Sequence, residues 1–384
     1  MIRLFVLLFS FSVSVLAGTF PPDKVDELVA TSLPLLEEYL ARNPQKNCTP
    51  ETAVRRKEWG DLSKQERRDY TDAVLCLQSK PALMSSSFAP GARTRFDDYV
   101  VIHMVQTERN HDSSFFLPWH RYYLWHYENA LRTECGYSGY QPYWDWGRYA
   151  ANPLDSPLFN GDEFSLSGNG EPVPHRGITV PGAPAPWDVI PPGEGGGCVT
   201  TGPFKNMTVN LGPRLQLALD VEPNPQKDGL GYNPRCLRRD INKNAATVTT
   251  TSHIYDLITQ NTNAYWFQTV LEGQFAEGKW GVHAGGHFTV SGDPGGDFYV
   301  SPGDPVFYLH HAQIDRVWWI WQMQNLTQRL FEISKTRTMG NNPPSPNGTL
   351  DDLTNLGILA GDVEVRDLMS TMGGLDGRLC YMYE

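Results

Sequence analysis

Residues 281–321 read GVHAGGHFTVSGDPGGDFYVSPGDPVFYLHHAQIDRVWWIW, with histidines in both end segments. His283 and His287 are four residues apart, a spacing that puts two imidazoles on one face of a helix. His311 follows 24 residues after His287, inside a second apolar segment rich in tryptophan. Because three imidazoles from two helices can close on one metal ion, this stretch predicts a metal-binding helix pair.

The residues between the first two histidines disfavour a zinc peptidase. The HExxH motif of such enzymes places a Glu between the histidines, where it activates the metal-bound water. Here the intervening residues are Ala284, Gly285 and Gly286, and none of them can act as a base.

A second histidine triple lies upstream. His103 falls in the apolar-periodic segment FDDYVVIHMVQ, His111 in a polar stretch that predicts a loop, and His120 in PWHRYYLWHYENAL. Six of the ten histidines therefore form two triples. All-imidazole sites suit copper, which heads the divalent affinity order, and neither triple includes a thiolate or carboxylate. The pattern predicts two copper ions.

Three motifs, FLPWHRYYLWHYE, PYWDW and DPVFYLHHAQIDRVWWIWQ, resemble the copper-binding signatures of type-3 copper proteins: tyrosinases, catechol oxidases and haemocyanins. The resemblance runs from about Phe96 to the C-terminus. It implies a mainly α fold, in which a four-helix bundle holds a dinuclear copper centre that binds O₂, with long irregular loops and few short strands.

The resemblance also implies the ligands. His103, His111 and His120 match the first copper site, and His283, His287 and His311 match the second. The family uses the latter member of the His-His pair, so we expect His310 to point elsewhere. In some members, a cysteine two residues before the second ligand of the first copper site is joined to that histidine by a thioether bond. Arg109 stands at that position here, so we expect no such link.

Composition indicates a globular protein. Of the 384 residues, 40% are hydrophobic and 20% charged, and the net charge of −11 argues against binding to nucleic acid or anionic membranes. No linker separates the two triples. We therefore expect one catalytic domain over residues 18–384, with an irregular Pro/Gly-rich insertion at about 152–203. The chain stops at Tyr381-Met382-Tyr383, a motif that closes the catalytic core of the family, so no C-terminal lid domain is expected.

The first 17 residues predict a secretory signal peptide. Arg3 supplies the charge, Leu4–Val15 the apolar run and Val15-Leu16-Ala17 the cleavage site. The run is too short to span a membrane. Four Asn-x-Ser/Thr sequons, at Asn47, Asn206, Asn325 and Asn347, agree with a secreted glycoprotein.

Six cysteines in a secreted chain predict three disulfides, with 15 possible connectivities. Proximity along the chain favours Cys48–Cys76 and Cys198–Cys236, which leaves Cys135 with Cys380.

Helices are predicted from apolar periodicity, with an additional capping-box pattern at Ser63 and Glu66. The predicted ranges are Lys24–Ala41, Ser63–Gln78, Phe96–Thr107, Pro118–Thr133, Leu211–Val221, Thr251–Gln260, Asn263–Glu277, Asp304–Asn325 and Val363–Thr371.

Other residues have expected supporting roles. Phe307, one helical turn before His311, is expected to wedge the ligand rings. Asp315, one turn after it, either receives a hydrogen bond from a ligand imidazole or pairs with Arg121 or Arg316. Asp145 is expected to be structural.

The resemblance implies copper-dependent oxidation of o-diphenols, and of o-aminophenols, to o-quinones with reduction of O₂ to water. Family members that hydroxylate monophenols well carry an Asn after the first histidine of the second site and a Glu nine residues before it. Here these positions are Ala284 and Gln274, so we expect weak hydroxylation. The alternatives are a full tyrosinase, a haemocyanin-like oxygen binder and, more distantly, a di-zinc hydrolase.

Overall fold

The computed structural model describes residues 20–45 and 47–384, and the predicted signal peptide lies outside this part. The described residues are mainly helical, as predicted. The helices are α1 Lys24–Arg42, α2 Lys64–Ser79, α3 Arg95–Asn110, α4 Phe116–Cys135, α5 Trp146–Tyr149, α6 Thr251–Gln260, α7 Ala264–Glu272, α8 Val282–Val290, α9 Val306–Met323, α10 Leu326–Arg329 and α11 Gly374–Gly377.

The strands are short and form small sheets. They are β1 Val54–Arg56, β2 Gly170–Pro172, β3 Ile178–Thr179, β4 Val189–Ile190, β5 Gly196–Val199, β6 Thr208–Val209, β7 Arg235–Cys236, β8 Leu353–Thr354, β9 Val363–Glu364, β10 Met372–Gly373 and β11 Leu379–Tyr383. Strands β1, β11 and β10 form one sheet, in which β1 runs parallel to β11 with Val54 opposite Tyr381.

Helices α3, α4, α8 and α9 form the bundle that the sequence predicted. Helix α4 packs against α3 and α9, and α8 packs against α9. Capping residues fix where the helices begin: Thr94 and Asp97 form a capping box at α3, as Ser63 and Glu66 do at α2. Helix α4 ends at Gly136, whose φ of 71° is the left-handed conformation typical of a helix C-terminus.

Two predicted helices are not formed. Residues 211–221 are irregular, because Gly212 has a φ of 71° and the amides of Arg214 and Leu215 donate to the Asp297 carboxylate instead of to helical carbonyls. Residues 363–371 contain β9 and a single 3₁₀ turn. The helix predicted to reach Glu277 stops at Glu272, where Gly273 adopts a φ of 119°.

The three disulfides pair differently from the prediction, except for Cys198–Cys236. The prediction of Cys48–Cys76 was wrong, since Cys48 is joined to Cys380. The prediction of Cys135–Cys380 was also wrong, since Cys135 is joined to Cys76. Parallel pairing of β1 with β11 brings Cys48 to Cys380, and packing of α2 on α4 brings Cys76 to Cys135.

The Pro/Gly-rich stretch 152–203 contains four two- to four-residue strands and no helix longer than one turn. Its Cys198 is tied to Cys236, and its hairpin β3–β4 packs on α8 through Ile178 and Ile190. No helix in the described part of the chain is long and apolar enough to cross a membrane.

Candidate metal centre

The first triple meets at the junction of α3 and α4. His103 lies inside α3, His111 immediately follows its last residue, and His120 lies in α4. All three are buried, with ring centroids 5.0 to 5.9 Å apart. The structure therefore brings together the three residues that the sequence proposed.

Backbone carbonyls fix the tautomer of these three imidazoles. Nδ1 of His103 lies 2.8 Å from the carbonyl oxygen of Tyr299, Nδ1 of His111 lies 3.0 Å from that of Thr107, and Nδ1 of His120 lies 2.7 Å from that of Phe116. A carbonyl only accepts, so each Nδ1 carries the proton and each Nε2 keeps a lone pair. Nε2 of His103 and of His120 is buried without a hydrogen-bond partner.

The second triple joins α8 to α9. His283 and His287 are one turn apart on α8, and His311 approaches them from α9. Nε2 of His287 lies 3.2 Å from Nε2 of both His283 and His311. Lone pairs that converge at such distances repel one another unless a cation or a proton lies among them.

The two triples face each other. The rings of His120 and His311 stack with centroids 4.3 Å apart and an interplanar angle of 12°, and His111 lies 6.0 Å from His283. The two sites therefore share one interior space between the four helices, as a dinuclear centre requires.

Burial keeps the imidazoles neutral. It lowers the pKa of His287 to about 3 and that of His111 to about 4. Burial, reinforced by neighbouring imidazoles, also holds the pKa of His103, His120 and His311 well below the ordinary value. A neutral imidazole is the form that binds a metal ion, so the folded chain presents its ligands ready for binding.

These observations fit two copper ions. Each cluster offers only imidazole nitrogens within 4.8 Å of one another, without a carboxylate or thiolate. Buried nitrogen lone pairs with no donor to satisfy them suit Cu²⁺ better than Mg²⁺ or Ca²⁺, which prefer oxygen ligands.

Comparisons with known proteins agree with this chemistry. Residues 93–324 match the model of the common central domain of tyrosinase. The chain belongs to the tyrosinase family. The tyrosinase-like protein orsC of Emericella nidulans is 39% identical over 335 residues, which cover 84% of this chain and 86% of that protein.

Two further relatives cover most of the chain. The N-acetyl-6-hydroxytryptophan oxidase ivoB of Emericella nidulans is 36% identical over 359 residues, which cover 88% of this chain and 94% of that protein. A mutant polyphenol oxidase from Thermothelomyces thermophila has a solved structure that is 45% identical, with a TM-score of 0.88 over 96% of this chain and 99% of that one. The chain is therefore a tyrosinase-family oxidoreductase with a dinuclear copper cofactor.

Two phenylalanines, each four residues before a histidine, wedge the imidazole rings of this tyrosinase-family centre. Phe307 lies 4.2 Å from His311 and 5.2 Å from His103, in agreement with its predicted position. Phe116, which sequence reasoning missed, lies 4.9 Å from His120 and 4.8 Å from His283. The repeated Phe-x-x-x-His spacing was the signal that could have found it. Phe298 also lies 4.8 Å from His111, but no histidine follows it at this spacing, so the sequence gives no comparable signal.

The prediction that His310 points away from the centre was wrong. Its ring lies 4.3 Å from His287, and one of its nitrogens is within 4.8 Å of the ligand atoms of the second triple. The ring packs against Gly286, where an added Cβ would lie 2.3 Å from Cε1 of His310. Gly286 is therefore needed for α8 to approach α9 this closely.

Ala284 and Gln274 occupy different surroundings. Ala284 is buried against the β3–β4 hairpin, in a small apolar cluster that includes Phe288 and Ile190. Gln274 lies in the turn after α7, where its amide donates to Glu277 at 3.0 Å. It lines a cleft of about 590 Å³ with Trp187, Trp280 and other residues beside the start of α8.

Glu272 is a buried carboxylate beside the first triple that the sequence did not reveal. It accepts hydrogen bonds from the amide of Asp112 at 2.7 Å, from Gln268 at 2.8 Å and from Lys335 at 3.0 Å. Burial raises its pKa, although Lys335 opposes this. The hydrogen bond to Asp112 anchors the residue that follows His111.

Asp315 does not contact an imidazole. Its carboxylate accepts from Arg121 Nε at 2.6 Å and from the hydroxyls of Tyr381 and Tyr383 at 2.6 Å each. Of the alternatives that the sequence left open, the structure therefore selects Arg121, and Asp315 ties the C-terminal Tyr-x-Tyr strand to the bundle.

Asp145 caps α5, where it accepts from the amide of Gly147. All six cysteines are in disulfides, so none can link to His111.

Proposed function

We propose that this tyrosinase-family enzyme oxidises o-diphenols and o-aminophenols to o-quinones and o-quinone imines, reduces O₂ to water, and hydroxylates monophenols only weakly. The observation that carries this proposal is the apolar setting of Ala284, directly after His283. A methyl group there offers no hydrogen bond to a water molecule that could act as base.

We assign His103, His111 and His120 to one copper ion and His283, His287 and His311 to the other. His311 is preferred to His310 because its Nε2 lies 3.2 Å from that of His287 and its ring stacks on His120 of the first site. When bound, the copper pair supplies the O₂ chemistry and accepts electrons from the substrate. The chain contributes neutral ligands and an interior that excludes water.

Proton removal separates the two substrate classes. A monophenol must lose its only hydroxyl proton before its ring is hydroxylated, and a positioned base accelerates such a step by about 10²–10⁴-fold. Gln274 carries no charge and its amide donates to Glu277, while both oxygens of Glu272 already accept hydrogen bonds. An o-diphenol depends less on this step, because its hydroxyls are more acidic and can approach both metal ions.

Introducing the Asn and the Glu that this chain lacks at positions 284 and 274 tests the proposal. The variant combines Ala284→Asn with Gln274→Glu and Glu277→Gln, so that the new carboxylate does not face Glu277. We expect its ratio of monophenol to o-diphenol turnover to rise about tenfold or more, since the variant adds an amide beside His283 and a carboxylate that can accept a proton through water. Ala284→Leu is the matched control, because it adds similar volume without an amide, and we expect no rise. A wild-type enzyme that turned over a monophenol as fast as its o-diphenol, without a lag, would falsify the proposal.

A full tyrosinase is the second candidate. One relative is named as an oxidase of N-acetyl-6-hydroxytryptophan, whose ring carries a single hydroxyl. Oxygen uptake on a monophenol and its matching o-diphenol distinguishes the two candidates.

We further propose that the protein is secreted. Three disulfides are typical of an oxidising compartment, and the four sequon asparagines are exposed. Mass spectrometry of protein from the culture medium should find a mature N-terminus near Gly18. Retention of residues 1–17 would contradict this.

A further inference from the structure

A line of buried, oxidisable aromatic side chains leads from the copper ligands towards the surface. Trp119 lies 4.8 Å from His120, measured between ring centroids. Tyr123 stacks on Trp119 at 4.9 Å and 17°, and Tyr99 lies 5.7 Å from Tyr123. His126, which is partly exposed, lies 5.8 Å from Tyr99. These residues, Trp119, Tyr123, Tyr99 and His126, are called the aromatic path below.

The polar atoms of Trp119, Tyr123 and Tyr99 are all engaged in hydrogen bonds. Nε1 of Trp119 donates to Gln106 at 2.8 Å, and the hydroxyl of Tyr123 donates to the Tyr99 carbonyl at 2.8 Å. The first three side chains have no solvent exposure. Packing alone would be satisfied by phenylalanine, which buries a similar ring without a group that needs a partner. Tryptophan and tyrosine differ from phenylalanine chemically in that they lose an electron readily.

The outer end of the path provides a place for a proton. Oxidised tyrosine is a strong acid, so its hydroxyl must be able to release the proton as the electron leaves. The hydroxyl of Tyr99 lies 2.9 Å from Nδ1 of His126. Burial and the nearby Arg95 charge lower the pKa of His126 to about 4, so the imidazole is neutral near pH 7 and can accept.

We propose that the aromatic path delivers single electrons to the copper centre when it is oxidised and no phenol is bound, and so protects the ligands from oxidation. Trp119 gives one electron inwards and takes one from Tyr123, which takes one from Tyr99. Tyr99 becomes a neutral radical as its proton passes to His126. A diffusible one-electron donor of the ascorbate class then returns the electron, and the proton returns from His126 to Tyr99.

Each passage moves one electron to the centre, so two passages supply the two electrons that one o-diphenol would give. The distances support transfer along this path, because electron tunnelling weakens steeply with separation and each step joins neighbouring rings. The inference rests on the assignment of His103 and His120 as copper ligands, since these are the imidazoles next to Trp119.

The test uses copper-loaded protein with Tyr99→Phe, with His126→Gln, and with Tyr143→Phe as the matched control. Tyr143 is equally buried, but its hydroxyl donates to the carbonyl of Glu384 instead of to an imidazole. The protein is first reduced in the absence of O₂, and the reductant is removed. It is then oxidised with O₂ in the absence of phenol and freeze-quenched for electron paramagnetic resonance, with unlabelled and ring-deuterated tyrosine. Peptide mass spectrometry after prolonged incubation then locates the oxidised side chains.

We expect a tyrosyl radical in the wild type and in Tyr143→Phe that deuteration narrows and ascorbate removes. Tyr99→Phe and His126→Gln should lose most of this signal, and oxidation should move several-fold towards Trp119, Tyr123 and the ligand histidines. Initial o-diphenol oxidation and copper content should be unchanged in all variants, which separates failure of the path from failure of the ligand assignment. Equal radical yield and damage pattern in wild type, Tyr99→Phe and His126→Gln would overturn the proposal, as would the same radical in copper-free protein.

Discussion

Replacing Asp315 by Asn separates two possible roles of this residue. The carboxylate is buried and accepts from Arg121 Nε and from the hydroxyls of Tyr381 and Tyr383, with Arg56 3.6 Å away. Burial opposes the charge, but Arg121, Arg56 and the two hydroxyls hold the pKa of Asp315 below its ordinary value. The side chain is therefore an anion that neutralises buried guanidinium groups.

The expected loss of stability in Asp315→Asn follows from the partners that Arg56 and Arg121 keep. Arg56 keeps Glu128 as a partner, at 3.0 Å, but the other bonds of Arg121 are to the carbonyls of Leu368 and Met369. Removing the counter-ion of a buried cation lowers the free energy of unfolding by about 3–5 kcal/mol. Because Asn retains an acceptor oxygen, we expect a loss near the lower end, about 3 kcal/mol.

Urea unfolding of copper-free protein at pH 7 measures this loss without a contribution from metal binding. Tyr381→Phe is the control, because it removes one hydrogen bond to the same carboxylate and should cost about 1.5 kcal/mol. Copper affinity should not change in either variant. If Asp315→Asn instead weakened copper binding by about tenfold or more with unaltered stability, Asp315 would be orienting a ligand imidazole and the reasoning would be refuted.

Three further outcomes follow from the structure. Gly286→Ala should lower the free energy of unfolding by about 1–3 kcal/mol and lower copper occupancy, because the new Cβ would lie 2.3 Å from the His310 ring. Normal copper content and normal stability would contradict this prediction. Copper-free protein should lose stability as the pH falls from 6.5 towards 4, by up to about 1.4 kcal/mol per pH unit for each buried imidazole. Stability falls because the pKa of His111 in the folded chain is lowered to about 4, so the unfolded chain takes up protons first as the pH falls. Unchanged urea midpoints over this pH range would argue against this prediction. Non-reducing peptide mapping should link Cys48 to Cys380, and any alkylated cysteine in the native protein would count against three disulfides.

The parts of the site that the sequence predicted are those with local signals. The spacing of His283 and His287 on one helix and the Phe307 and His311 pair each lie within a few residues of chain. The same holds in the rest of the fold for the capping box at Ser63. Motif resemblance then linked the two triples, which spacing alone does not place face to face.

The parts that it missed depend on contacts between distant segments. The Cys48–Cys380 bond joins residues 332 apart in sequence and follows from parallel strand pairing, for which no short motif exists. The carbonyl that fixes the tautomer of His103 belongs to Tyr299, 196 residues away. His310 was misplaced because helical geometry separates it from His311, whereas the close approach allowed by Gly286 brings both rings to the second site.

The central claim is that two separate imidazole triples hold two copper ions. Its most direct test is the copper-to-protein ratio of the wild type, His120→Ala and His287→Ala after loading and dialysis, with circular dichroism to verify the fold. We predict two copper ions per chain in the wild type, one fewer in each variant, and no o-diphenol oxidation by either variant. A wild type with fewer than two ions, or a variant that keeps both ions and full activity, would contradict the account.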